Sequence, residues 1–125
     1  MIPSPDAGGE VALVSREDVT QVAANVLIDQ RHADKTYDLT GPEALSLEEL
    51  VARLPGKGQR LRYVRESLDE GRTWRAATGA PDWEIDVWLG SSFAMGTGEL
   101  ARLSIAVRDI TGREPRRLGA GVSRA

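Results

Sequence analysis

Few side chains in this sequence pair a reactive type with a useful neighbour. Asp18 stands three positions after Ser15 and opens an apolar-periodic stretch. A carboxylate there can act as an acid–base group, or it can stabilise a helix start and orient the preceding loop. His32, the one histidine, sits among Asp29, Gln30, Arg31 and Asp34, the setting of a surface residue more than of a proton shuttle. Lys35 precedes an extended stretch and reads as solvated. Ser91-Ser92 has neither a nearby histidine nor a G-x-S-x-G frame, so serine hydrolysis is unsupported. Asp69, Glu70, Asp82, Glu84 and Asp86 lack the His or Cys companions of a transition-metal site and read as exposed helix charges. Gly96-Thr97-Gly98 is a G-x-G without its third glycine or a preceding apolar strand, hence a helix break and not a phosphate loop. Trp83, Trp88, Phe93 and Met95 share one predicted helix. Their spacing suits core packing first, which is compatible with a cavity wall if that core opens onto a cleft. No residue is assigned a catalytic, cofactor-binding or metal-binding role; those four are the substrate-pocket candidates.

The elements that must position these groups follow from pattern. With 125 residues the chain is one domain at most. Apolar residues are 41% but aromatics only 5%, so the core must rest on Val, Leu, Ile and Ala. Residues 1–10, with two Pro and two Gly, read as a flexible lead-in. Residues 11–14 have strand length, and Ser15 is a predicted N-cap with Glu17 and Asp18 in the first turn. Val19, Val22, Ala23, Val26 and Leu27 then form one buried stripe. Residues 36–40 are a second predicted strand, ended by Gly41-Pro42. Ser46 and Glu49 make an S-x-x-E capping box for a helix burying Leu47, Leu50, Val51 and Leu54, stopped by Pro55-Gly56-Lys57-Gly58. Residues 61–64 are a third strand. A weak helix over 66–78, interrupted by Gly71, offers Leu68, Trp74 and Ala77 to the core. Helices over 82–95 and through Leu100, Leu103, Val107 and Ile110 follow, ended by Thr111-Gly112; residues 119–125 are a loose tail. The order predicts an α/β fold with parallel strands, about five helices and only a few short strands.

Charge and composition exclude several classes. A net charge of −3 and a pI near 5.2 give no global attraction to nucleic acid or anionic membrane. Arg108, Arg113, Arg116, Arg117 and Arg124 crowd the end of the chain, but without interleaved aromatics they read as a solvated terminus and not a nucleic-acid tail. There is no cysteine, which removes disulfides, thiolate metal sites and Cys nucleophiles and fits a cytoplasmic protein. The first ten residues lack the basic and apolar regions of a signal peptide, and no apolar run reaches the ~20 residues of a membrane span.

Five ordered segments carry a family resemblance. Val14-Ser-Arg-Glu-Asp18-Val-Thr-Gln-Val-Ala-Ala24 looks like a strand-to-helix Asp-Val motif. Lys35-Thr-Tyr-Asp-Leu-Thr-Gly-Pro42 with Leu45-Ser-Leu-Glu-Glu-Leu50 matches a "TYxLTGPxxLSxxEL" unit, and Arg62-Tyr63-Val64 matches an "RYV" strand. Gly79-Ala-Pro-Asp-Trp83, Gly98-Glu-Leu100 and Thr111-Gly-Arg-Glu-Pro115 look like the punctuation of the last helices. From Val11 to about Leu118 the chain thus resembles the carboxy-terminal half of the NmrA-like, atypical short-chain dehydrogenase/reductases, which are NAD(P)-binding Rossmann proteins. The resemblance implies that residues 11–118 are the substrate-side part of such a domain, with the dinucleotide-binding half absent. It also implies that the late helices line a hydrophobic substrate cavity.

The family's G-x-x-G-x-x-G loop is not in this sequence. Nor is a Tyr-x-x-x-Lys pair: Tyr37 and Tyr63 are followed four residues on by Gly41 and Ser67. Intact relatives are therefore expected to pass a hydride from NAD(P)H to a quinone-like or other conjugated acceptor, whereas this chain alone binds no cofactor and is inactive. The alternative expectation is a non-catalytic interaction or regulatory module. In that case a free sheet edge near 11–14 or 36–40 self-associates or docks on a complementary N-terminal chain, with neither nucleic acid nor membrane as partner.

Overall fold

Ile2, Pro3 and Ser4 run parallel to Tyr63, Val64 and Arg65 in the computed structural model, which describes residues 1–54 and 61–119. The ladder is closed by hydrogen bonds from the Ile2 amide to the Arg62 carbonyl (2.8 Å) and from the Glu66 amide to the Ser4 carbonyl (3.2 Å). So β1 (Ile2–Ser4) replaces the expected flexible lead-in. Pro3 is tolerated because, among the described residues, β1 has a partner on one side only.

The backbone divides into two compact units. The first joins Met1–Val11 to Leu45–Ala101, and the second joins Ala12–Ala44 to the chain from Arg102 onward.

The first unit holds β1, β2 (Glu10–Val11), β3 (Leu45–Ser46), α2 (Leu47–Arg53), β4 (Tyr63–Arg65), α3 (Leu68–Ala76) and α4 (Asp82–Gly96). β2 and β3 form a second, antiparallel pair. The expected strand over 11–14 is thus reduced to Val11 with Glu10, because only these backbone groups find a ladder partner. Ser46 caps α2 as predicted: its hydroxyl accepts from the Glu49 amide, and the Glu49 carboxylate accepts from the Ser46 amide. Leu50 and Val51 are buried, whereas Leu54 is half exposed. The Pro-Gly stop proposed after α2 lies outside the described residues.

α3 differs from its expected form in both limits and facing. It starts at Leu68 under a second capping box, Ser67 with Glu70. Leu68, Trp74 and Ala77 are exposed, while Gly71 and Arg75 are buried. Gly71 is therefore not an interruption. A Cβ at that position would stand 3.2 Å from Leu89 Cδ2 and 2.7 Å from Arg75 Nη1, so the missing side chain lets α3 approach α4. Within α4, Ile85, Leu89 and Ser92 point inward, and Trp83, Val87 and Phe93 point out.

The second unit holds α1 (Arg16–Ile28), a short 3₁₀ turn (Gln30–His32) and α5 (Ala106–Thr111). Ser15 caps α1 by accepting from the Asp18 amide at 3.0 Å. The predicted stripe is only partly covered: Val22 is buried, but Val19 and Ala23 are exposed and Leu27 is 86% exposed. Residues 36–40 are not a strand; no backbone partner pairs with them among the described residues. The last helix is shorter than predicted. Residues 99–105 stay non-helical because the Ser104 amide bonds the Thr40 hydroxyl (2.9 Å) and the Ser104 hydroxyl takes the Ala106 amide (3.1 Å). Val107 is then buried, and Gly112, at φ 71°, ends the helix in the left-handed conformation. No helix among the described residues is long and apolar enough to cross a membrane. Among them, too, no group of His, Asp and Glu is placed to hold a metal ion.

Candidate functional site

A cavity of about 310 Å³ opens in the first unit between the loop after β1, the start of α3 and the end of α4. Pro5, Ala7, Leu68 and Phe93 give it apolar walls; Glu66, Ser67 and Thr97 supply the polar atoms. Ser67 is there because it caps α3, and Phe93 because it sits one position beyond the inward-facing Ser92. Of the four expected pocket residues, the structure brings only Phe93 into this cavity. The helix accounts for that. At about 100° per residue, Phe93 and Trp88 project about 140° apart, and Phe93 and Met95 about 160° apart. Trp83 is 68% exposed on the outer face.

The wall is braced by groups that pattern reading passes over. Glu66 Oε1 meets Arg75 Nη1 at 2.9 Å, with both side chains about nine-tenths buried. Glu66 Oε2 accepts from the Trp74 indole at 2.8 Å, and the Arg75 guanidinium lies 4.3 Å from the Trp74 ring centre. Arg75 also donates to the Gly71 carbonyl (2.8 Å). Both carboxylate oxygens are thereby engaged, and Glu66, the charged residue of the lining, is paired with Arg75 behind the wall.

Next to the cavity, Asp6 is fully buried. It begins a tight turn in which the Gly9 amide bonds the Asp6 carbonyl (2.9 Å), with Ala7 at φ 51° and Gly8 at φ 79°. The turn leaves no room for more: a Cβ on Gly9 would lie 1.9 Å from the Met95 carbonyl oxygen. Asp6 Oδ1 accepts from the Tyr63 hydroxyl at 2.6 Å, while Oδ2 has no partner. Burial and the Asp6 hydrogen bond raise the Tyr63 pKa, and Arg65 opposes them. The sequence signal was Pro5-Asp6-Ala7-Gly8-Gly9, a turn composition legible in type but not in burial.

In the second unit, Asp18 is a buried anchor. Its Oδ2 accepts from the Arg116 amide at 2.8 Å, and the Arg116 guanidinium pairs with Glu17. Arg117 pairs with Glu43 at 3.2 Å, so these arginines are not a free terminus. His32 is half buried: its Nδ1 is 2.7 Å from the Tyr37 hydroxyl and its Nε2 is 4.0 Å from Asp29. Arg31 holds the Asp29 carboxyl down at about 2 through side-chain and backbone hydrogen bonds. His32 and Lys35 line an open groove of about 590 Å³ with Asn25, Ile28 and Ile110. Asp29 is already engaged there by Arg31.

No family model matches the chain. By sequence it is 30% identical over 114 residues to an NAD(P)H azoreductase of Xenophilus azovorans, covering 90% of this chain and 40% of that protein. It is 28% identical over 116 residues to quinone oxidoreductase 2 of Escherichia coli, covering 92% of this chain and 41% of the relative. The crystal structure of an NADPH-dependent quinone oxidoreductase from Escherichia coli, complexed with NADPH, superposes with a TM-score of 0.83 at 25% identity. That match covers 94% of this chain and 42% of the other. The chain thus spans about 40% of the length of the curated relatives it matches.

Proposed function

We infer that this chain, homologous to part of the NAD(P)H-dependent quinone and azo reductases, is the acceptor-side portion of an oxidoreductase of the NmrA-like, short-chain type. The observation that carries this reading is the extent of the match: the structural likeness covers 94% of the chain at a TM-score of 0.83. In that role the cavity beside Phe93 receives the conjugated acceptor. The nicotinamide nucleotide is held by the rest of the fold, since a pyrophosphate is gripped by a glycine-rich turn and a helix N-terminus that this sequence does not contain. The chain by itself binds no cofactor on this reading. It completes the enzyme with a complementary N-terminal chain or segment, and the lack of cysteine fits a cytoplasmic setting.

A chimera tests this directly. The chain is spliced in place of the matching part of Escherichia coli quinone oxidoreductase 2, and NADPH oxidation is followed with a naphthoquinone as acceptor. The expected result is quinone-dependent oxidation by the chimera and none by the chain alone. Turnover by the isolated chain, or a folded chimera that binds NADPH yet never reduces the quinone, refutes the reading.

A second reading rests on a separate observation. Leu27 and Ile28 on α1 are more than four-fifths exposed, and residues 36–40 lack a backbone partner among the described residues. Such a surface suits a regulatory module that self-associates or docks on another chain. Light scattering after size exclusion decides: a monomer at all concentrations removes it.

A further inference from the structure

We propose that the cavity beside Phe93 selects uncharged, small-ring acceptors and rejects anionic ones such as sulfonated dyes, with Phe93 and Leu68 setting the fit and Glu66 setting the charge preference. This rests on the acceptor reading above and adds size and charge to it. The volume of about 310 Å³ lies at the bottom of the ~300–1000 Å³ range of ligand cavities, enough for one or two fused rings. Phe93 and Leu68 supply apolar lining, and Ser67 and Thr97 are its neutral polar residues.

Charge acts independently of size. Glu66 is the one ionised group on the wall, and its carboxylate is held by Arg75 and Trp74. An entering sulfonate finds no cation among the lining residues, and the Glu66 carboxylate is already satisfied by Arg75 and Trp74, so the sulfonate sheds its water without compensation. A neutral quinone suffers no such loss. Glu66→Gln removes the negative member and leaves the Arg75 charge uncompensated behind the wall, which turns the preference toward anions.

The test is calorimetric titration of the purified chain with naphthoquinone and with the same ring bearing a sulfonate. Naphthoquinone is expected to bind at least about tenfold more tightly, from the desolvation difference. Leu68→Trp, which fills the cavity from a half-exposed position, and Phe93→Ala should each weaken naphthoquinone about tenfold. Trp83→Ala, on the outer face, should leave it unchanged. Glu66→Gln should narrow the neutral-to-anion ratio by roughly tenfold, an effect that loss of packing alone does not produce. Equal binding of both probes, or naphthoquinone affinity indifferent to Leu68→Trp, overturns the proposal. A chimera that reduces quinone while Leu68→Trp binds it unchanged overturns this inference alone. A silent chimera alongside selective binding overturns the function and supports the cavity.

Discussion

Replacing Arg75 by methionine should be among the most damaging single changes in the first unit. Methionine keeps most of the aliphatic stem but deletes the guanidinium that meets Glu66 at 2.9 Å and the Gly71 carbonyl at 2.8 Å. Glu66 is then a carboxylate about nine-tenths buried, with only the Trp74 indole to answer it. Removing one partner of a buried pair costs about 3–5 kcal/mol, because the survivor is left desolvated and unpaired. Domains of this size are stable by roughly 5–15 kcal/mol in all, so much of the margin goes. With a urea slope near 2 kcal/mol/M, the unfolding midpoint should fall by roughly 1.5–2.5 M. The double variant Glu66→Leu/Arg75→Met supplies the control. Replacing both charges by apolar groups is often neutral, so it should recover most of the loss, to within about 1.5 kcal/mol of the parent. Circular dichroism against urea measures all four corners of the cycle. If Arg75→Met costs under about 1 kcal/mol, or the double variant is no better than the single, the account of the wall is wrong.

Four further outcomes are expected. Ser67→Ala should cost about 1 kcal/mol, as loss of an N-cap does, and Ser46→Ala about the same. Hydrogen bonds from the backbone of Ser46 and Ser67 lower the pKa of Glu49 and Glu70 below their ordinary 4.5. Their help to folding is therefore complete above about pH 4.5 and is lost as pH falls through the depressed values, read as helix signal in an acid titration. Asp18→Ala should free the strap around Arg116, costing roughly 1–3 kcal/mol and speeding tryptic cleavage at Arg116 and Arg117; unchanged cleavage contradicts the anchor. Gly90→Ala, with nothing within 4 Å of the new Cβ, should stabilise α4 by about 0.5–1 kcal/mol. Gly9→Ala should destabilise by about 1–3 kcal/mol, and thermal melts of the pair settle the matter.

What pattern made legible was local chemistry. Ser15 and Ser46 cap where S-x-x-E logic and helix periodicity put them, and Thr111-Gly112 stops α5, because each depends on atoms a few residues away. The α/β class and the relationship to NAD(P)H reductases were legible too, through ordered motifs. What stayed hidden depends on distant partners. Ile2–Ser4 becomes a strand only because Tyr63–Arg65 lies beside it, and a Pro-rich start gives no hint of that. Residues 36–40 have strand composition but no ladder to join among the described residues. Periodicity in α4 marks apolar positions all round the helix, so it could not tell Ile85, almost fully buried, from Trp83. Asp6, Glu66 and Arg75 are polar letters in polar surroundings; their burial follows from tertiary neighbours that no spacing rule names.

The order of the two units along the chain has a kinetic side. Each is stitched from two separated stretches, one interrupted by the other, so neither can be excised as a single continuous piece. During synthesis Ile2 must wait for Tyr63 before its ladder can close, and Asp18 must wait for Arg116. Joining such remote partners carries a loop-closure cost and slows folding. Each early segment therefore stays unsatisfied until its distant partner has been made, and it is in that interval that a chaperone has most to offer the chain.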